Sequence, residues 1–308
     1  MTDHDRLFKE LLGVFFWEFV EVFLPEVAAY LDRSSLVSLN PQIFTDVTSG
    51  ERHEVDLVVQ GRFKGTESCF LVHVEQQAQP QAEFGRRMFR YFARLYDQHG
   101  LPVYPVVVFS HDQQQLELDR HEVRFPDRRV LDFRYRVIQL RRLSWRRFVD
   151  RPNPVVCALM SKMRIAPADR PRVKLECLRL LTTLRLDPAR VRLISGFIDT
   201  YLRLNAAEEL RFAAQVAKVP NDQQKHHVME IVTSWMEEGL QQGLQQGLQQ
   251  GLRETILATL EARFGEVSYA LRERILAVVD QAELKRLHRH AVLTPDLHAF
   301  QQSLPAGA

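Results

Sequence analysis

Two carboxylate residues lie where two β-rich runs of the chain would pair as a hairpin. Asp56 lies at the start of the run Val55–Gln60, and Glu75 closes the run Cys69–Glu75, with a polar, glycine-containing connection between them. Opposed carboxylates repel each other unless a cation lies between them, and Mg²⁺ bound by carboxylates and water meets that need. Such an ion activates water and neutralises charge that develops on a phosphodiester. The alternative is a solvated cross-strand pair at the end of a hairpin.

The partner of Asp56 depends on the centre of the turn. A turn centred between Gly65 and Thr66 pairs positions whose numbers sum to 131, which sets Asp56 opposite Glu75 with Cβ atoms about 4.5–5.5 Å apart. A centre shifted by one residue gives Asp56 the partner His73 instead. His73 shares a face with Glu75 and is either a proton carrier or a strand histidine with a structural hydrogen bond.

A helix predicted over residues 82–98 carries three regularly spaced arginines. Arg86, Arg90 and Arg94 are four residues apart and therefore form a stripe along the helix. Guanidinium groups suit bidentate contacts to phosphates, and such contacts position DNA without reading its sequence. The stripe is either a DNA contact or a solvated helix face.

The elements that position these residues follow from the hydrophobic pattern. The order is helix, two or three strands, helix, strand and a further strand, which is typical of a mixed sheet flanked by helices. From residue 145 onward only helical periodicity remains, so we expect an α/β fold followed by an all-helical C-terminal part. The predicted elements are helices at 4–30, extended pieces at 36–39 and 43–46, strands at 55–60, 69–75, 103–110 and 133–140, and helices at 175–186, 191–204 and 208–217, with Gly100 ending the helix at 82–98.

Five segments within the first 140 residues carry a resemblance to a known family. They are His4–Leu12, Glu54–Val58, His73–Gln77, Arg86–Tyr91 and Tyr104–Val108. In this order and spacing they resemble the core of the PD-(D/E)XK nucleases, and more narrowly the Rpn family of recombination-promoting nucleases, also described as putative transposases. The resemblance implies a metal-dependent DNA endonuclease that acts in recombination or in defence.

The resemblance also implies roles for individual residues. Asp56 and Glu75 would bind Mg²⁺ or Mn²⁺, and Gln77 stands where most PD-(D/E)XK enzymes carry lysine. Glutamine orients a water or a phosphate oxygen but brings no positive charge. Glu10 on the first helix is the candidate accessory acid, with Asp5 as its competitor. The missing lysine leaves a second interpretation open, a catalytically silent nuclease fold that serves as a DNA-binding or protein-interaction module.

A four-residue repeat lies in the helical part of the chain. From Gly239 the sequence reads Gly-Leu-Gln-Gln three times and ends with Gly251-Leu252. Leucine and glutamine favour a helix, whereas each glycine costs about 0.5–1 kcal/mol relative to alanine. The repeat is therefore either a helix that self-associates, giving a homo-oligomer, or a mobile linker. The residues after it resemble a small helical domain of unknown function that accompanies such nuclease cores.

Charge and composition limit the function further. Residues 119–190 carry 19 Lys and Arg against 8 Asp and Glu, whereas residues 1–118 carry 10 against 17, which predicts a polyanionic partner for the basic middle or a solvated arginine-rich surface. Three isolated cysteines and an acidic N-terminus favour a cytoplasmic protein without a membrane partner. We expect a nuclease-like domain at 1–150, a helical region at 151–238, the repeat at 239–252 and a small helical domain at 253–308.

Overall fold

The computed structural model describes residues 3–39, 43–45, 52–54, 57–65, 69–77, 83–113 and 115–305. The chain divides into two compact units, Met1–Met229 and Glu230–Ala308. The first unit combines a mixed β-sheet with helices, and the second is helical. The expected α/β class with a helical C-terminal part is therefore confirmed. Among the described helices, none is both long and apolar enough to cross a membrane.

Three helices open the first unit: α1 (Asp3–Val14), α2 (Phe16–Phe23) and α3 (Pro25–Tyr30). The sequence predicted one or two helices here with a break at Pro25, and α3 does begin at that proline, where the missing N–H costs nothing. A second break falls at Phe15, whose backbone leaves the helical region. Both α1 and α2 bury aromatic side chains, including Phe8 and Phe19.

The central sheet has five strands in the order β1-β4-β5-β6-β9. β4 is antiparallel to both of its neighbours, β1 and β5. β5, β6 and β9 are parallel to one another. The strands are β1 (Val37–Leu39), β4 (Leu57–Arg62), β5 (Cys69–Gln77), β6 (Val103–Phe109) and β9 (Arg136–Gln139), and two short strands, β2 (Ile43–Thr45) and β3 (Arg52–Glu54), form a separate pair.

Helix α4 (Phe84–His99) connects β5 to β6 and packs on one face of the sheet. Phe84, Met88, Tyr91 and Leu95 are its buried residues, at the spacing expected of an amphipathic helix. The helix ends at Gly100, as predicted, because this residue adopts a φ of 62° and its N–H donates to the carbonyl of Tyr96.

A hairpin of β7 (Arg120–Arg124) and β8 (Arg129–Arg134) lies against α4. The predicted single strand at 133–140 is wrong, because the chain leaves this hairpin at Tyr135 and enters β9 of the central sheet. The hairpin was missed because its charged strands, each of which carries an ion pair between its own residues, lack an apolar run. It approaches α4 so closely at Gly85 that a Cβ there would lie 2.7 Å from the carbonyl oxygen of Arg120.

Four helices complete the first unit: α5 (Pro154–Leu159), α6 (Arg170–Thr183), α7 (Pro188–Tyr201) and α8 (Ala206–Ala217). These four helices lie within the helical region that the sequence predicts at 151–238. Residues in this region contact the N-terminal helices directly. The rings of Phe8 and Phe197 are 4.9 Å apart, and Asn153 Nδ2 donates to the carbonyl of Glu18 at 3.0 Å.

The chain passes from the first unit into the second along α9 (Asp222–Phe264), a helix of 43 residues that includes the whole repeat. The repeat lies within this helix, and its self-association stays a prediction. Three more helices follow: α10 (Tyr269–Ala277), α11 (Gln281–Leu293) and α12 (Leu297–Gln302). Their apolar residues and those at the end of α9 form one core that includes Leu260, Leu284 and Phe300.

Candidate functional site

The β4–β5 hairpin has the first of the two registers that the sequence analysis left open. The described pairs run from Leu57 with Val74 to Arg62 with Cys69, and the numbers of each pair sum to 131. The alternative register, with its turn shifted by one residue, is therefore wrong for these strands. Asp56 lies outside the described residues, so its pairing with Glu75, one step beyond Leu57 and Val74, stays a prediction.

The triplet Glu75-Gln76-Gln77 closes β5 beside β6, whose last residues are buried. Glu75 pairs with Val107 of β6, and Gln77 pairs with Phe109. Residues Val106–Val108 are fully buried, so the sheet holds the backbone of this triplet from its interior side. The side chains of His73, Glu75 and Gln77 lie outside what the structure describes, and their predicted roles stay predictions.

The arginine stripe lies on α4, away from its buried face. Arg86 and Arg90 are exposed, Arg94 is half-buried, and Arg86 Nη1 lies 3.6 Å from Glu83 Oε2. This exposed ion pair contributes little to stability because water screens it. The stripe is therefore accessible over most of its length, as a phosphate contact requires.

The two candidate accessory acids both belong to α1. Glu10 is exposed, and its Oε1 lies 3.9 Å from Arg6 Nε one turn earlier. The side chain of Asp5 lies outside the described part of the chain. The structure thus assigns Glu10 an ionic neighbour on its own helix, and a role beside the triplet stays a prediction.

A metal site can be assessed only from the side chains that are described. Among them, no group of three His, Cys, Asp or Glu residues could hold a metal ion. The two predicted ligands, Asp56 and Glu75, are outside this set. Cysteine chemistry has no support at Cys157, because burial raises the pKa of its thiol to about 12 and keeps it protonated.

A polar cluster that the sequence analysis did not identify follows β6 and closes β9. His111 is buried, and its Nε2 lies 3.0 Å from Glu117 Oε1. Gln139 is also buried, and its amide accepts from the backbone N–H of Glu117 and donates to the carbonyls of Gln113 and Gln115. The signal that could have identified the cluster is its position, because polar residues at the carboxyl ends of parallel strands commonly bind ligands.

A second charged group lies beside this cluster. Arg141 Nε is 3.2 Å from Asp112 Oδ1, and Arg141 Nη1 donates to the carbonyl of Met163 at 3.1 Å. Burial lowers the pKa of the nearby Lys162 amine, and Asp112 opposes that shift. Asp112 and the carbonyl of Met163 thus hold the Arg141 guanidinium beside the carboxyl edge of the sheet.

Comparison with known proteins adds no relative. No family model matches the chain, and neither a curated protein nor a solved structure does.

Proposed function

We propose that the first unit is a metal-dependent DNA endonuclease that hydrolyses phosphodiester bonds. The observation that carries the proposal is the β4–β5 register, whose described pairs share the sum that assigns Asp56 to Glu75. In this proposal the two carboxylates hold Mg²⁺ or Mn²⁺, cations that prefer oxygen ligands. The ion lowers the pKa of a bound water and neutralises the charge that develops on the attacked phosphate.

The arrangement of the elements supports a fold of the PD-(D/E)XK type. An antiparallel hairpin is followed by α4 and then by β6, which is parallel to β5. Helices α1–α3 precede the hairpin, as the resemblance to the Rpn family implies. On this basis recombination or defence is the proposed biological setting, and the cytoplasm is the proposed location.

The remaining site residues assist the metal in this proposal. Gln77 orients the water or a phosphate oxygen, and Glu10 supplies the accessory carboxylate. Arg86, Arg90 and Arg94 contact the DNA backbone from the exposed side of α4. Such contacts add affinity without sequence preference, because phosphates are the same at every base pair.

Nicking of supercoiled plasmid in Mg²⁺ tests the proposed chemistry. We expect the wild-type chain to nick the plasmid, and Asp56→Asn and Glu75→Gln to lose about 100-fold or more, because charge stabilisation by the ion contributes several kcal/mol. The control is Asp97→Asn, which removes an exposed carboxylate from α4 and leaves the proposed ligands intact. Equal nicking by all four proteins would contradict the site.

The second candidate function is a catalytically silent fold that binds DNA or a protein. Gln77 favours it, because glutamine lacks the positive charge that lysine brings to the transition state. Oligonucleotide binding in a chelator separates the two functions. Unchanged affinity without metal, together with absent nicking and folded variants, would favour the module over the enzyme.

We also propose that α9 forms a homo-oligomer through the repeat. Leucine and glycine occupy adjacent rows with a spacing of four residues, and such rows form the ridge and the groove of packed helices. Within the described part, a Cβ at Gly247 or Gly251 would meet no atom within 4 Å, and Leu248 is 42% exposed. These three positions of the described repeat are therefore open to a second copy of the chain.

Light scattering after size exclusion tests the oligomer. We expect Leu248→Glu to shift the chain towards the monomer, because the substitution would place a negative charge in the proposed contact between two copies of α9. Leu276→Glu is the matched control, because Leu276 in α10 has the same exposed fraction of 42%. A monomeric wild type, or equal dissociation of both variants, would contradict self-association through the repeat.

A further inference from the structure

An open pocket runs along the free edge of β9, next to the polar cluster. Its volume is about 610 Å³. One wall is formed by β9 and the residues around it, and the other by Leu116–Arg120. The backbone N–H of Tyr135 donates to the carbonyl of Asp119 at 2.9 Å, and Gln139 binds the other end of this segment. Hydrogen bonds at both ends of the pocket thus hold this segment against β9.

Three arginines give the pocket positive charge. Arg120, Arg136 and Arg142 all line it. Arg120 Nε lies 3.6 Å from Glu122, and an Arg136 Nη atom lies 3.9 Å from Glu26; these separations exceed a normal hydrogen bond. Both side chains are nearly half exposed, so their guanidinium groups remain accessible to an anion from solvent.

Of the two carboxylates that line the pocket, Glu117 is engaged by a buried histidine, and Asp119 is exposed. Glu117 interacts with the buried His111, at 3.0 Å between Oε1 and Nε2. Burial, aided by the charges of Asp119 and Glu117, raises the pKa of the Tyr135 hydroxyl to about 12. Tyr135 therefore stays neutral at physiological pH and adds no negative charge to the pocket.

Apolar side chains form the rest of the lining. Leu116 and Leu118 are 68% and 70% exposed, and Val137 and Leu143 lie with them in the pocket. Exposed apolar surface of this kind commonly marks a binding site, because a ligand removes it from water. The pocket therefore suits a ligand that carries both an anionic group and a flat apolar body.

We propose that this pocket binds one nucleotide of a nucleic-acid strand, with phosphate on the arginines and the base against Leu116 and Leu118. The inference rests on the proposed function, because it names where the DNA strand lies. Arginine forks match phosphate oxygens in geometry as well as charge. The pocket volume falls in the range of small-ligand sites, which accommodates a single nucleotide.

The sheet register relates the pocket to the proposed metal position. Glu75 pairs with Val107, and Val107 pairs with Val137 in the pocket lining. Two strand spacings separate the Cα atoms of Glu75 and Val137, about 10 Å in all.

Fluorescence anisotropy with a labelled single-stranded oligonucleotide, in a chelator, tests the pocket. We expect Arg136→Gln and Arg142→Gln each to weaken binding about tenfold and to reduce the salt slope by about 0.7, as loss of one phosphate contact does. Leu116→Ala should weaken binding a few-fold with an unchanged salt slope. The control is Arg128→Gln, which removes an exposed arginine paired with Asp127 at the tip of the β7–β8 hairpin, outside the pocket lining.

The binding and nicking results test the nucleotide pocket and the proposed nuclease function separately. Equal weakening by Arg128→Gln and by the pocket variants, or no weakening by either, would overturn the pocket. Plasmid nicking by a chain whose pocket variants bind normally would leave the nuclease intact and refute the pocket alone. Selective weakening in the pocket without nicking by the wild type would support the pocket and refute the nuclease.

Discussion

At the scale of single residues, the sequence points to one candidate group, Glu75, and leaves out the polar cluster that follows β6. Glu75 could be identified because it closes a β-rich run beside a predicted turn. His111, Glu117 and Gln139 could be identified only once the sheet order was known, because their contacts join the end of β6, an irregular segment and the end of β9. Contacts of this kind depend on the sheet order, which no local pattern specifies.

Glu208 offers a test of electrostatics at this scale. Its carboxylate accepts from the backbone N–H of Asn205 at 2.9 Å and lies 3.0 Å from Arg170 Nε. These partners, the Asn205 N–H first, hold its pKa below the ordinary value of 4.5. Because the folded-state pKa is depressed, the stabilisation is fully present above the unfolded-state pKa and is lost as pH falls through the folded-state pKa.

We therefore expect Glu208→Gln to lower the free energy of unfolding by about 1 kcal/mol at pH 7, the difference between charged and neutral hydrogen bonds. The loss should shrink as pH falls below about 4.5. Urea unfolding at several pH values measures it. Glu283→Gln, in an exposed pair with Arg286, should lose less than about 0.5 kcal/mol. Equal losses in the two variants, or a loss independent of pH, would contradict this account.

At the scale of elements, the sequence predicted a strand pair or a helix correctly where a single local pattern defines that element. The β4–β5 register follows from two β-rich runs around a glycine-containing turn, and α4 follows from its apolar stripe and Gly100. It failed at Tyr135, where the chain changes from one sheet to another without a glycine or proline. It also missed α12, a helix of 6 residues that is shorter than two turns.

Two glycine substitutions should have opposite effects on stability. Gly100 has a φ of 62°, so Gly100→Ala should cost about 1 kcal/mol. Gly196 lies inside α7, and a Cβ there would meet no atom within 4 Å, so Gly196→Ala should stabilise by about 0.5–1 kcal/mol. Urea unfolding of the full chain measures both. A change of the same sign at the two positions would refute the assigned backbone conformations.

At the scale of the whole molecule, two compact units predict two unfolding transitions. Leu95 is fully buried in the core of the first unit, and Leu260 in that of the second. Each Leu→Ala change should cost about 2–5 kcal/mol through the cavity that it leaves. In calorimetry, Leu95→Ala should lower the midpoint of one transition and Leu260→Ala that of the other. Equal shifts of a single transition in both variants would contradict two independent cores.

The charge distribution also belongs to this scale. The excess of Lys and Arg over residues 119–190 was predicted to meet a polyanion, and in the structure many of these arginines form ion pairs. Net charge alone therefore overstates the available positive surface. In the proposed function, the arginines of the β9 pocket are the positions in this segment where that excess would act on a phosphate.

Metal binding is the most direct test of the central claim, that the β4–β5 hairpin sets Asp56 opposite Glu75 to hold a divalent cation. Calorimetric titration of the full chain with Mn²⁺ should show a saturable site in the wild type and in Asp97→Asn. Asp56→Asn and Glu75→Gln should each weaken it at least tenfold, because each removes one charged ligand. Mn²⁺ binding of wild-type affinity in both ligand variants would contradict the account.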